Sequence, residues 1–180
     1  MDAWSFEIMG QELCSIYHAL TQQKQAHLLE PAIHFYDFVN WQNQHIDKHQ
    51  LKTKQLDYWK QQLDKAPKYL KLPTDYPRKK TTTYTKKQYH FSLKLDLSNE
   101  IKAFSHTRGL TTFMSLLAGF KLLLHNYCKQ DDICVAVPTS GRRLSEIENI
   151  LGHFTNILII RSQPGNNPTF ETYIDGIKHA

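Results

Sequence analysis

The stretch TFMSLLAGFKLLLHNYCKQDDICVAV, Thr112–Val137, decides the fold class. Its first part places Phe113, Leu116, Leu117, Phe120, Leu123 and Leu124 around most of the circumference of a helix. That helix is expected to start at Thr111 or Thr112 and to run to about Tyr127. A helix apolar nearly all round is expected to be buried on several sides. The run ICVAV, Ile133–Val137, then reads as a strand covered on both faces. Pro138 to Gly141 form the turn that ends it. A buried helix feeding a buried strand indicates a layered α/β protein.

Downstream of this stretch, NILIIR at Asn156–Arg161 reads as another strand. A turn follows over Pro164 to Pro168, and a last helix begins near Thr169. Upstream, KKQYHFSLKL at residues 86–95 alternates, with Tyr89, Phe91, Leu93 and Leu95 on one face of an expected strand. A short helix capped by Ser98 should then stop at Gly109, with Arg108 in its last turn. Residues 66–85 lose helical periodicity and contain Pro67, Pro73 and Pro77, so they read as a subdomain linker. Three helices are expected before it, at about 3–22, from Pro31 to about Ile46, and at about 50–64. Asp2 is placed to cap the first of them.

Composition narrows the function classes. An apolar fraction of 41% with 22% charged residues over 180 positions fits one ordinary globular domain. No apolar run approaches the ~20 residues of a membrane span. Met1 to Gly10 include Asp2 and Glu7 and no basic leader, which does not read as a secretory signal. Three cysteines, Cys14, Cys128 and Cys134, are odd in number and widely spaced. They argue against a disulfide framework and for a reducing, cytoplasmic setting. The net charge of +5 is scattered apart from Arg78, Lys79, Lys80, Lys86 and Lys87. Such a basic loop reads as solvated surface, and nucleic acid is not an expected partner.

Local chemistry is sparse. His45 and His49 would share a helix face, but Ile46 stands where the catalytic zinc motif needs glutamate. Ser140-Gly141-Arg142-Arg143 follows a strand and is too short a signal for an anion site. Neither a Gly-rich phosphate loop nor a nucleophile elbow is present. Read for chemistry alone, the chain names no enzyme, and no metal is expected.

Four ordered segments resemble the condensation domains of nonribosomal peptide synthetases. Asp2-Ala3-Trp4-Ser5 and the helix after it resemble the end of the His-His-x-x-x-Asp-Gly motif, with Ala3 in place of Gly. Phe35 to Gln42 resembles Tyr-x-Asp-Tyr-Ala-x-Trp-Gln, matching at Asp37, Trp41 and Gln42. Tyr58-Trp59 and Leu72-Pro73-Thr74-Asp75-Tyr76-Pro77-Arg78 resemble the family's Tyr-Trp helix and linker. Leu116-Leu117-Ala118, Asp132-Ile133, Pro138, Gly141-Arg142 and Leu151-Gly152-His153-Phe154-Thr155-Asn156 complete the series.

The resemblance implies a partial chloramphenicol acetyltransferase-like α/β sandwich. Residues 1–65 would end the first subdomain, 66–85 would be the linker, and 86–180 would begin the second subdomain. It implies amide formation between an acyl thioester donor and an amine acceptor. Both ride on phosphopantetheine arms of peptidyl carrier domains, beside an adenylation domain, and no cofactor is bound directly. The family's second histidine stands four residues before the aspartate, ahead of Met1. No catalytic residue is therefore assigned, and the chain by itself is expected to be inactive. Asp2 resembles the motif aspartate, which in the family pairs with an arginine; none precedes it here. Trp4, Asp37, Trp41, Arg142, Gly152, Phe154 and Asn156 are the remaining motif or substrate-tunnel candidates. Gly152 would supply backbone freedom or a close approach.

An epimerization domain is the rival reading within the fold, but it follows its aspartate with Gly-Val-Ser-Trp-Arg. Ala3-Trp4-Ser5, the Trp41 motif and the Leu72 to Asp75 linker favour condensation. A non-catalytic piece that docks an acidic carrier domain through the Arg78 to Lys87 cluster is the reading from another class.

Overall fold

The computed structural model describes residues 1–48, 50–76, 87–165 and 168–178. It contains helices α1 (Ala3–Thr21), α2 (Phe35–Lys48) and α3 (Leu51–Gln62), then α4 (Leu95–Thr107) and α5 (Thr112–Cys128). Strand β1 (Ile133–Thr139), a 3₁₀ turn (Ser145–Ile147), strand β2 (Asn156–Ser162) and α6 (Phe170–Lys178) follow. β1 and β2 pair with each other. The chain forms two compact units, one from Met1–Asp64 with Ala136–Ile159, the other from Lys65–Val135 with Ile160–Ala180.

In the first unit, α1 starts where expected, because the Asp2 carboxylate accepts the Ser5 backbone N–H at 2.9 Å. At the start of α2, Asp37 Oδ2 reaches back to accept the His34 N–H at 2.8 Å, one half of a capping box. The core of this unit is Ile147, Ile150 and Phe154, with Ile33, Phe35 and Phe38 packed against it. Phe154 meets Phe35 edge-on at 5.1 Å and Phe38 at 5.0 Å between ring centres.

In the second unit, Thr111 caps α5 by accepting the Met114 N–H at 3.2 Å. Its far end is closed by Lys129 in the left-handed region, φ 51°, whose N–H bonds His125 O at 2.9 Å. Leu110, Leu117, Ala118, Tyr173, Ile174 and Ile177 form the core of this unit. Each of the leucines and isoleucines among them contributes about 1.5–3 kcal/mol by its burial. Asp132, just before β1, receives a two-pronged bond from Arg161 of β2, with Nη2 to Oδ2 at 2.6 Å and Nε to Oδ1 at 3.0 Å.

Several expectations need correction. Residues 87–94 form no strand; Tyr89 and Phe91 are exposed. Alternation supplies a face but not a neighbour, and the sheet among the described residues holds β1 and β2 alone. Leu95 is not the end of a strand but the first residue of α4. Ser98 lies inside that helix rather than capping it, and its hydroxyl donates to Lys94 O. Arg108 is the C-cap, and Gly109 stops the helix with φ +62°. α5 is not covered all round either. Phe113, Leu116, Phe120 and Leu123 remain about half exposed, while Lys121 is fully buried. The linker prolines up to Pro73 lie in irregular chain; Pro77, Arg78, Lys79, Lys80, Lys86 and His49 lie outside the described residues.

Candidate functional site

The first turn of a helix presents backbone N–H groups with no partner inside the helix. At α1 those groups meet a buried polar cluster contributed by the loop between β1 and β2. Gly141 allows that loop to turn. Its φ is +69°, and a Cβ there would lie 1.9 Å from the Phe154 carbonyl oxygen, so only glycine fits. The next residue, Arg142, turns inward and is buried together with Asp2.

The cluster is dense. Asp2 Oδ1 accepts the Ser5 N–H at 2.9 Å and an Arg142 Nη2–H at 3.2 Å. Asp2 Oδ2 accepts the Phe154 N–H at 3.0 Å. Arg142 Nη1 donates to Ile147 O at 2.6 Å, Ile150 O at 2.8 Å and Glu148 O at 3.2 Å. Its guanidinium lies 4.1 Å from the centre of the Phe154 ring, a buried cation–π contact. The Arg142 Nε, alone among buried side-chain polar atoms of the described residues, has no partner. Trp4 adds a bond from its indole N–H to Glu148 O at 2.9 Å.

Gly152 is a second point of close approach. A Cβ there would meet Phe35 Cδ2 at 2.3 Å and Phe154 Cε2 at 2.8 Å. The absence of a side chain, rather than an unusual backbone angle, is what this position requires.

Burial pushes the Asp2 carboxyl up. The N–H groups of Ser5 and Phe154, the Ser5 hydroxyl and Arg142 outweigh that and hold it well below the usual carboxylate range. A carboxylate so fully engaged is a poor base. What it can do is hold the start of α1 and the loop end at Phe154 in one fixed arrangement.

The candidates from the sequence separate into groups. Asp2, Trp4, Arg142, Gly152 and Phe154 come together at this cluster. Asp37 serves its own helix start. Trp41 is half exposed, with ring centres 5.9 Å from Phe38 and 5.0 Å from the stacked His45. Asn156 is exposed, and its Oδ1 accepts the Ile157 N–H at 2.8 Å. None of these residues lines the cavity of about 510 Å³ beside α1, which is bounded by Ile8, Glu12, Leu28, Pro31 and Glu146. The arginine partner of Asp2 does not precede it; it stands 140 positions downstream. Its signal in the sequence is the short Ser140-Gly141-Arg142-Arg143 turn. Ser5, at 0% exposure, enters the sequence reading as part of a motif and not as a site residue. Among the described residues no group of three or more His, Cys, Asp or Glu could hold a metal ion. No described helix is long and apolar enough to cross a membrane.

Paired strands, flanking helices and a buried carboxylate–guanidinium pair at a helix start make this a mixed α/β protein. The condensation-domain family model matches residues 1–180, and the chain belongs to that family. A linear gramicidin synthase of Brevibacillus parabrevis is 37% identical over 177 residues, 98% of this chain and 2% of that protein. The first condensation domain of the calcium-dependent antibiotic synthetase superposes with a TM-score of 0.81 at 17% identity. This chain is covered to 99% and that one to 39%. The epimerization domain from the third module of tyrocidine synthetase B superposes at 0.79 with 18% identity, covering 99% of this chain and 42% of that one. The chain thus spans about two fifths of these solved domains and a few per cent of the curated synthase.

Proposed function

We propose that the chain forms part of the framework of an amide-forming condensation domain. An acceptor amine attacks the carbonyl of a donor acyl thioester; the C–N bond forms, the C–S bond breaks and a thiol leaves. Donor and acceptor ride on phosphopantetheine arms of peptidyl carrier domains, with an adenylation domain nearby in a cytoplasmic synthetase. Such a reaction depends on positioning and on control of charge at the tetrahedral centre. Residues 1–65 are assigned to the end of the first subdomain, 66–85 to the linker and 86–180 to the start of the second.

The observation that supports this reading is the buried Asp2–Arg142 pair, 3.2 Å apart. It gives the motif aspartate the holding role that the family resemblance implies, four residues after the position of the family's second histidine. Arg142, Gly152 and Phe154, all buried, are assigned to holding this framework. Trp41 and Asn156, whose side chains reach solvent, are the candidates to face substrate.

The test uses the full-length protein with donor-loaded and acceptor-loaded carrier domains. Amide product is expected by mass spectrometry, and Arg142→Met is expected to slow its formation by about tenfold or more. Donor hydrolysis without amide would overturn the reading. Inversion of the acceptor α-carbon without amide would replace it with epimerization.

A further inference from the structure

We infer that Ser5 is a positioning residue for this reaction, fastening the loop end at Gly152–Phe154 to the start of α1; the inference rests on the condensation reading above. The geometry is that of a four-connected hydroxyl. Ser5 Oγ accepts the Gly152 N–H at 3.0 Å and an Arg142 Nη2–H at 2.9 Å. Its single proton goes either to Gly152 O at 2.7 Å or to Asp2 Oδ1 at 2.8 Å. Ser5 Oγ therefore holds the Gly152 N–H and lies within bonding distance of Gly152 O, which also accepts the Asp2 N–H at 3.3 Å.

No neighbouring group can take over this work. Asp2 Oδ2 already accepts the Phe154 N–H, and the Arg142 Nη1 hydrogens are shared among three carbonyls. Ser5 and Gly152 are both buried, so water does not replace a lost hydroxyl at low cost. Without the hydroxyl, the Gly152 N–H is left unpaired where the chain packs closely against Phe35. The start of α1 at Asp2 then loses its fixed bearing on the loop. A residue acting in this way changes how often the reacting groups are aligned, and leaves acceptor binding unchanged.

The experiment compares Ser5→Ala and Ser5→Cys with wild type in the full-length protein. Hydrogen exchange by mass spectrometry on peptides spanning 150–154 is expected to speed up by about tenfold or more in Ser5→Ala. Peptides of α5 should keep wild-type protection. The kcat for amide formation should fall by about tenfold or more, with acceptor KM unchanged. Ser5→Cys, which keeps the volume but offers a weaker acceptor, should fall between the two.

Wild-type exchange at 150–154 in Ser5→Ala overturns the inference. So does faster exchange with unchanged kcat, or a raised KM with kcat retained. If Ser5→Ala also exposes α5, the Cys variant decides: wild-type exchange and kcat overturn the inference, and losses in both sustain it. If the wild-type protein forms no amide, the condensation reading and the catalytic role of Ser5 fail together, whereas the exchange data still decide whether Ser5 fastens the loop.

Discussion

At Asp2, desolvation and hydrogen bonding pull in opposite directions, and the bonds prevail. The unfolded carboxyl titrates near ~3.9. A folded pKa below that value means that ionised Asp2 adds stability above about pH 4, and that the gain drains as pH falls toward the folded pKa. Asp2→Asn should therefore cost about 3–5 kcal/mol near neutral pH, because Arg142 is left buried without its counter-charge. Denaturant unfolding at pH 7 and pH 3 checks this, and an equal gap at both values would contradict it. Gly152→Ala should cost about 1–3 kcal/mol by the same measurement, since the Phe35 and Phe154 rings must move aside. The cap at Asp2 is legible in the sequence because a cap acts over three residues. Its pairing with Arg142 is not, because nothing local links positions 140 apart.

At the scale of elements, α5 shows both what periodicity reveals and what it hides. Its limits follow from Thr111 and from the turn after Cys128, both local signals. Its one buried cation does not. Lys121 stands in the middle of an apolar run, fully buried, with Nζ donating to Ile160 O at 2.7 Å. Burial lowers its pKa to about 8, against weaker upward pulls from Cys134 and Asp132. The folded state thus disfavours the charged form. Stability should rise as pH climbs from about 8 toward the unfolded value near ~10.4. Lys121→Met should stabilise the protein at pH 7 by on the order of 1 kcal/mol, and the gain should shrink by pH 10. A gain independent of pH in thermal melts would refute the account. The segment 87–94 is the converse case. Its alternation is genuine, but a strand exists through its neighbour, and a neighbour is not written in a single segment.

For the whole molecule, surface is the telling quantity. Leu13, Tyr17 and Leu20 of α1 are 64%, 70% and 66% exposed. Whole domains are stable by only ~5–15 kcal/mol, so a few such uncovered residues weigh heavily. The 180-residue chain by itself is expected to self-associate in sedimentation experiments over micromolar concentrations. A monodisperse monomer with a sharp, reversible melt would contradict this.

One property of the chain path reaches further. Two stretches, 1–64 and 136–159, interleave to build one unit, and the intervening polypeptide makes most of the other. A specific protease site inserted at Pro73–Tyr76, in exposed irregular chain, would therefore cut the backbone without freeing either piece. The two fragments should co-elute under native conditions and part only in denaturant. Asp2 on one fragment and Arg142 on the other would then act as a rivet between separate polypeptides, and Arg142→Met should let the halves drift apart.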